Sequence, residues 1–208
     1  NTSKKAETTA LLAPNGEIHM SQNALYLVSR FYTYENWSCP RGLLCAMPYF
    51  RSTTQTLIHK FARKGLELKY QNTAVVPGEL LTQYSMDEDA KGYFRILTKT
   101  WTPKTATHLY LLNPDLTFAG KLENIEPGEE FKSSRYIGDK LYLVTFEQID
   151  PLFVIDLANP KQPKIIGELK IPGYSTYLHP LKTEGSKQYL LGLGYNTEIN
   201  QRGGVSNA

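Results

Sequence analysis

The stretch "KLYLVTFEQIDPLFVIDLANPKQPKIIGELKIPG", residues 140–173, decides the fold. It holds three runs of strand-forming residues, LYLVTF, LFVIDL and KIIGELKI, and it stops at Pro172-Gly173. Runs rich in Val, Ile, Leu, Tyr and Phe, cut by Pro, Gly, Asn and Asp, read as short β-strands joined by turns. The same Pro-Gly stop occurs twice upstream, at Pro77-Gly78 and Pro127-Gly128, with spacings of 50 and 45 residues. A similar stretch precedes each stop: HKFARKGLELKYQNTAVVPG (59–78), YLLNPDLTFAGKLENIEPG (110–128) and VIDLANPKQPKIIGELKIPG (154–173).

Each Pro-Gly is followed by a second kind of strand pair. Residues 79–101 turn at Asp87-Glu88-Asp89, residues 129–148 at Gly138-Asp139, and residues 174–196 at Glu184-Gly185-Ser186. Such tips suit antiparallel hairpins, and the acidic Asp87-Glu88-Asp89 is expected to be a solvated tip. The strands after the tips align as YFRILT from 93, LYLVTF from 141 and YLLGLG from 189. An earlier copy, ALYLVS from 24, precedes an insertion of roughly 22 residues that carries both cysteines. The unit is therefore four short strands in 45 to 50 residues. Four antiparallel strands at that period are the signature of a β-propeller blade.

The fold expected is thus all-β, with about three and a half propeller blades. After a lead-in over 1–19, blades are expected at about 20–76, 79–124 and 129–170, with the start of a fourth from 174. The Pro-Gly pairs would mark the passage from the outer strand of one blade to the inner strand of the next. Pro lacks the N–H a ladder needs, and Gly permits the sharp reversal. Middle strands such as 141–146 should be covered on both faces by neighbouring blades. Rings close with about four to eight blades, so the chain reads either as part of a longer protein or as a ring closed between copies.

Composition excludes several classes. The chain has 208 residues, 41% hydrophobic and 21% charged, which is globular. Residues 1–70 carry nine Lys/Arg against four Asp/Glu, 71–160 eight against thirteen, and 161–208 six against three. Basic charge does not gather into the stripe a nucleic-acid binder shows, so no nucleic-acid partner is expected. No apolar run is long enough for a transmembrane segment. Cys39 and Cys45 sit in one Pro/Gly-containing loop, WSCPRGLLCAM. They read as a disulfide in an oxidising compartment or as two free thiols. The spacing is not that of a metal site.

The third unit carries a family resemblance. TFEQIDPL and GYSTYLHPL, within residues 136–195, resemble the secreted prokaryotic proteins with a C-terminal β-propeller domain distantly related to WD-repeats. The WD dipeptide itself is absent. The resemblance implies an exported or cell-surface protein, an N-terminal partner domain in the same protein, and no catalytic residues to carry over.

Candidate site residues follow from propeller geometry, because loops joining second and third strands share a face with the blade-to-blade turns. Those loops supply Trp37 near the cysteines, Trp101 and Lys104 in TKTWTPKTAT, and Glu147 and Asp150 in FEQIDP. Two Trp and two carboxylates on one rim would suit a glycan, a peptide or a cation. The structural alternative has Trp37 anchoring its loop and Trp101 covering the sheet. Glu147 and Asp150 fall short of the six to eight oxygens of a Ca²⁺ site, so a structural Ca²⁺ is a minor expectation. Asp150 precedes Pro151 and can cap a turn. His179, in TYLHPL, is placed on or just after an innermost strand near the central channel. No P-loop, dinucleotide fingerprint or nucleophile elbow is present. The reading is an exported, non-catalytic module that binds a protein, peptide or glycan on its loop-rich face. The alternatives are a propeller hydrolase or lyase with an acidic site at Glu147 and Asp150, and a module that packs against a partner domain.

Overall fold

The computed structural model describes residues 16–37, 49–101, 104–146, 150–171, 173–182, 187–199 and 205–207. The first sheet contains β1 (Gly16–Met20), β2 (Ala24–Trp37), β3 (Tyr49–Lys64) and β4 (Glu67–Pro77) in that spatial order. The second contains β5 (Glu79–Leu80), β6 (Met86–Glu88), β7 (Phe94–Thr100), β8 (Ala106–Leu112) and β9 (Phe118–Ile125). Here β5 and β6 are two pieces of one inner strand, both paired with β7 and parted by a 3₁₀ turn at Gln83–Ser85. The third contains β10 (Glu130–Ile137), β11 (Lys140–Phe146), β12 (Asp150–Asp156) and β13 (Lys164–Ile171). Next come β14 (Tyr174–Pro180) paired with β15 (Leu190–Tyr195), and β16 (Thr197–Ile199) paired with β17 (Val205–Asn207). Every pairing is antiparallel and mostly between consecutive strands. This is the all-β, partial-propeller architecture the repeat predicts.

The Pro-Gly pairs sit where an outer strand passes to the next inner strand. Gly78, Gly128 and Gly173 have φ of 88°, 110° and 80°, in the region open to glycine. At Gly78 a Cβ would lie 2.8 Å from the Lys99 carbonyl oxygen, so a side chain there would meet backbone. The turn is tied down on both sides. Gly78 N–H donates to the Thr54 carbonyl at 2.9 Å, and Thr98 Oγ1 donates to the Pro77 carbonyl at 2.7 Å.

Two interior seams form where sheets meet face to face. Between the first and second lie Ala24, Tyr26, Val28, Ile58, Val76, Phe94, Ile96, Tyr110 and Leu112. Between the second and third lie Leu97, Leu109, Leu111, Ile125, Leu141, Leu143, Phe153 and Ile155. The middle strand β8 is buried at every position and β7 at all but Thr100, because a sheet covers each face. In β11, Leu141, Leu143 and Val144 are buried and Tyr142 is half-buried.

Three features differ from expectation. Gly16–Met20 is a strand paired from Gly16↔Ser29 to Met20↔Leu25, so the first sheet starts inside the stretch read as lead-in. The insertion after ALYLVS continues the ladder as a long ribbon, β2 and β3 staying paired as far as Trp37↔Tyr49. Asp87-Glu88-Asp89 is not a solvated tip. Glu88 ends β6 with its side chain 2% exposed, and the turn itself falls at 89–93. Glu88 accepts from Tyr26 OH at 2.8 Å and from Ser21 Oγ, and pairs with Lys60 Nζ at 3.4 Å. Lys60 also donates to the Pro114 carbonyl at 2.8 Å. The sequence triplet looked hydrophilic, but its place on an inner strand turns Glu88 into the partner of a lysine buried on β3.

Candidate functional site

Second strands end and first strands begin at one edge of the sheets, and the sequence candidates collect there. Trp101 follows the last residue of β7 and is 56% exposed. The Lys99 ammonium lies 3.8 Å from its ring centroid, a close cation–π contact. Lys104 is exposed three positions further along the chain. Trp101 therefore does not cover the sheet; it stands out from the rim with a cation on one face.

The structure adds residues that were not singled out. Lys132, on β10, lies 5.3 Å from the Phe146 ring and 5.0 Å from the Tyr174 ring. Phe146 and Tyr174 are 4.8 Å apart, and Tyr195 is 5.5 Å from Tyr174. On the first sheet, the Arg30 guanidinium is 5.4 Å from the Tyr32 ring and is ion-paired with Glu79. The rim thus repeats one device from sheet to sheet: a basic side chain set against an aromatic ring. Carboxylates stand among these cations: Glu79 beside Arg30, Glu130 3.4 Å from Lys132, and Glu129, which accepts from Thr145 Oγ1. No short motif encodes the device, because Lys132, Phe146 and Tyr174 come from three different strands. The aromatic endings of the second strands were the available signal.

The imidazole of His108 sits just below this rim. Its Nδ1 accepts from Asn124 N–H at 3.2 Å, so Nε2 carries the proton toward Thr100 Oγ1 at 2.8 Å. Burial, the largest influence, lowers its pKa against the opposing pull of Glu123.

The remaining candidates do not join the cluster. Trp37 ends β2 and pairs across the ribbon with Tyr49, but its side chain lies outside the described part. Cys39, Cys45 and Glu147 lie outside the described residues. Asp150 opens β12 opposite Ile171, its side chain likewise outside the described part. The Ca²⁺ expectation thus falls on residues that are not described, and it finds no neighbouring metal cluster among those that are. His179 does lie on an innermost strand, β14, where it is exposed and bonded through Nδ1 to Tyr177 OH at 3.0 Å.

Four-stranded antiparallel blades packed face to face, with an aromatic, basic rim, define a partial β-propeller. The chain belongs to the beta propeller domain family, whose model matches residues 1–207. It is similar to an uncharacterized protein of Methanocaldococcus jannaschii, 50% identical over 110 residues, which are 51% of this chain and 18% of that protein. It is also similar to an uncharacterized protein of Archaeoglobus fulgidus, 41% identical over 145 residues, 69% of this chain and 22% of that protein. The matched parts thus span about a fifth of each of these archaeal relatives. No solved structure gives a significant match. Among the described residues no helix is long and apolar enough to cross a membrane.

Proposed function

We propose that the chain is an exported, non-catalytic propeller module whose rim binds a polymer, and that of protein, peptide and glycan a glycan bearing anionic groups fits best. The repeated pairing of a basic side chain with an aromatic ring carries this reading. Aromatic faces stack on sugar rings, and Lys99 and Lys104 supply cations for acidic substituents, beside Arg30 and Lys132 with their partners Glu79 and Glu130. Spacing the pairs over successive sheets matches a ligand that repeats. Export rests on the family resemblance of the third unit. The alternative, a hydrolase or lyase with an acidic site at Glu147 and Asp150, rests on side chains outside the described part.

The test compares binding of an anionic polysaccharide, alginate, with a neutral one, dextran, by affinity electrophoresis. Alginate should retard the protein and dextran should not. Trp101→Ala together with Lys132→Ala should weaken the retardation at least ~10-fold, since each ring or cation contributes roughly 1 kcal/mol. Equal retardation by both polymers, or none by alginate, contradicts the reading.

A further inference from the structure

A cleft opens among the inner strands, away from the rim. It has a volume of about 520 Å³ and is lined from the inner side of four sheets: His19 from β1, Gln83 and Tyr84 from the 3₁₀ turn before β6, Asp87 from β6, Arg135 from β10 and Pro180 from β14. That volume lies within the range of small-molecule sites, roughly 300 to 1,000 Å³. Its wall is largely polar, with Ile18, Met20 and Met86 as apolar patches.

Two charges in this cleft are incompletely compensated among the described residues. Arg135 stacks over the Tyr84 ring at 5.2 Å and has no carboxylate partner among the described residues. Tyr84 is in turn held edge-on by Tyr177 at 6.1 Å, so the guanidinium is fixed without being neutralised. Asp87 is the opposite case. Its nearest cation is Arg95, whose Nε is 3.5 Å away. That nitrogen is buried and makes no hydrogen bond among the described residues, so the contact is loose. Arg95 is also shared. Its Nη2 is 3.5 Å from Asp89, and its Nη1 donates to the Gly138 carbonyl at 2.7 Å. One guanidinium facing two carboxylates leaves one negative charge over among the described residues. Glu88 does not change this, because Lys60 balances it on the first-sheet side.

Burial sets the titration of the neighbours. Desolvation raises the pKa of Asp87 despite the opposing Arg95, the mark of a carboxylate short of a cation. Burial also lowers the pKa of His19, against the pull of Asp87 and Glu88, and leaves its imidazole neutral at pH 7.

We infer that this inner cleft is a binding site for a zwitterionic small molecule of the amino-acid class. The ligand's carboxylate meets the fork of Arg135, and its ammonium meets Asp87. A guanidinium fork and a carboxylate are matched in shape, which favours Arg135 as the anion end. A neutral zwitterion answers both groups without adding net charge to the half-buried cleft, whereas a simple anion would leave Asp87 with only its loose Arg95 contact and a simple cation would leave Arg135 without an anion. The inference is independent of the rim, since no residue is shared.

The test is saturation-transfer NMR of the full chain with the twenty natural L-amino acids, followed by titration of the best binder. The same compound with its amine acetylated, and with its carboxylate amidated, gives the single-charge controls. The free amino acid should bind at least ~10-fold more tightly than either control, and Arg135→Gln and Asp87→Asn should each weaken it by about 10- to 100-fold. Arg135→Lys should restore part of the affinity, and unchanged thermal midpoints show that the variants fold. Binding of the acetylated compound as tight as the free one would make this a plain anion site and overturn the inference. Signals from none of the twenty, or signals unmoved by both substitutions, would overturn it too.

Discussion

The two interior seams of this molecule bury the same kind of surface with different chemistry. The buried centre of the seam between the second and third sheets is mostly aliphatic, Leu97, Leu109, Leu111, Ile125, Leu141, Leu143 and Ile155 closing around Phe153. At its edge the buried Arg95 lies beside Tyr136 and donates to the Gly138 carbonyl without reaching a carboxylate of the third sheet among the described residues. The seam between the first and second is aromatic and partly charged. Tyr26 stacks on Phe94 at 4.1 Å, and beside them Lys60 and Glu88 form an ion pair with side chains only 7% and 2% exposed. Each fully buried Leu or Phe contributes roughly 1.5 to 3 kcal/mol, so apolar area holds both seams. A buried ion pair adds little net stability, because desolvation offsets the attraction. What the pair adds is direction. Lys60 reaches from β3 of the first sheet to Glu88 and the Pro114 carbonyl of the second, and those bonds form only when the two blades meet in this register.

Breaking the pair on one side should give the largest effect. Glu88→Gln leaves the Lys60 ammonium buried without its counter-charge and should lower the unfolding free energy by about 3 to 5 kcal/mol in urea titrations. Lys60→Met combined with Glu88→Leu replaces the pair by apolar side chains of similar size and should recover most of that loss. A double variant as unstable as Glu88→Gln would show that the pair itself holds the seam. On the aliphatic side, Leu143→Ala should lose about 3 kcal/mol through the cavity it leaves. Leu193→Ala, on the half-open β15 where Leu193 is 55% exposed, should change stability by no more than ~0.5 kcal/mol.

Acidification gives a smaller effect. Burial holds His108 and His19 below the ordinary 6.5 of histidine, so the unfolded chain takes up protons that the folded chain refuses. Their contribution is fully present above the unfolded value of 6.5 and is lost as pH falls from there through the lower folded value. The urea midpoint should therefore drop between pH 7.5 and 5.5. His108→Gln should reduce that drop, because Gln keeps hydrogen-bonding groups near Thr100 and Asn124 without taking up a proton. A midpoint that is flat, or that rises on acidification, would contradict this assignment.

Much of this architecture is legible in the sequence because it is written locally and repeatedly. Pro-Gly at a near-constant period, with strand runs between, specifies four-stranded units without any knowledge of their packing. The misread stretches are those whose meaning comes from a distant neighbour. GEIHM is too short and mixed to announce a strand, and β1 exists because β2 offers it an edge. Asp87-Glu88-Asp89 reads as solvated in isolation. The missing clue lay in LIHKFA, where Lys60 falls on a strand with a neighbouring sheet across its face and so needs a buried acid. The rim was half legible. Trp101 and Lys104 were visible from the loop they share, but Lys99 lay unremarked inside a strand. Lys132 meets Phe146 and Tyr174 only when the third sheet and the pair after it come together. The inner cleft had no sequence signal, since its lining is drawn from the inner side of four sheets spread over most of the chain.

The central claim, that blades stack face to face so that inner sheets are covered twice and end sheets once, is tested most directly by hydrogen exchange resolved by strand. Protection follows burial and cooperative packing. The amides of β7, β8 and β11 should exchange most slowly, at rates set by global unfolding. Those of β15, whose Leu191, Leu193 and Tyr195 face solvent, should exchange far faster despite equally regular pairing with β14. Equal protection across β8 and β15, or slower exchange in β15, would contradict the stacking.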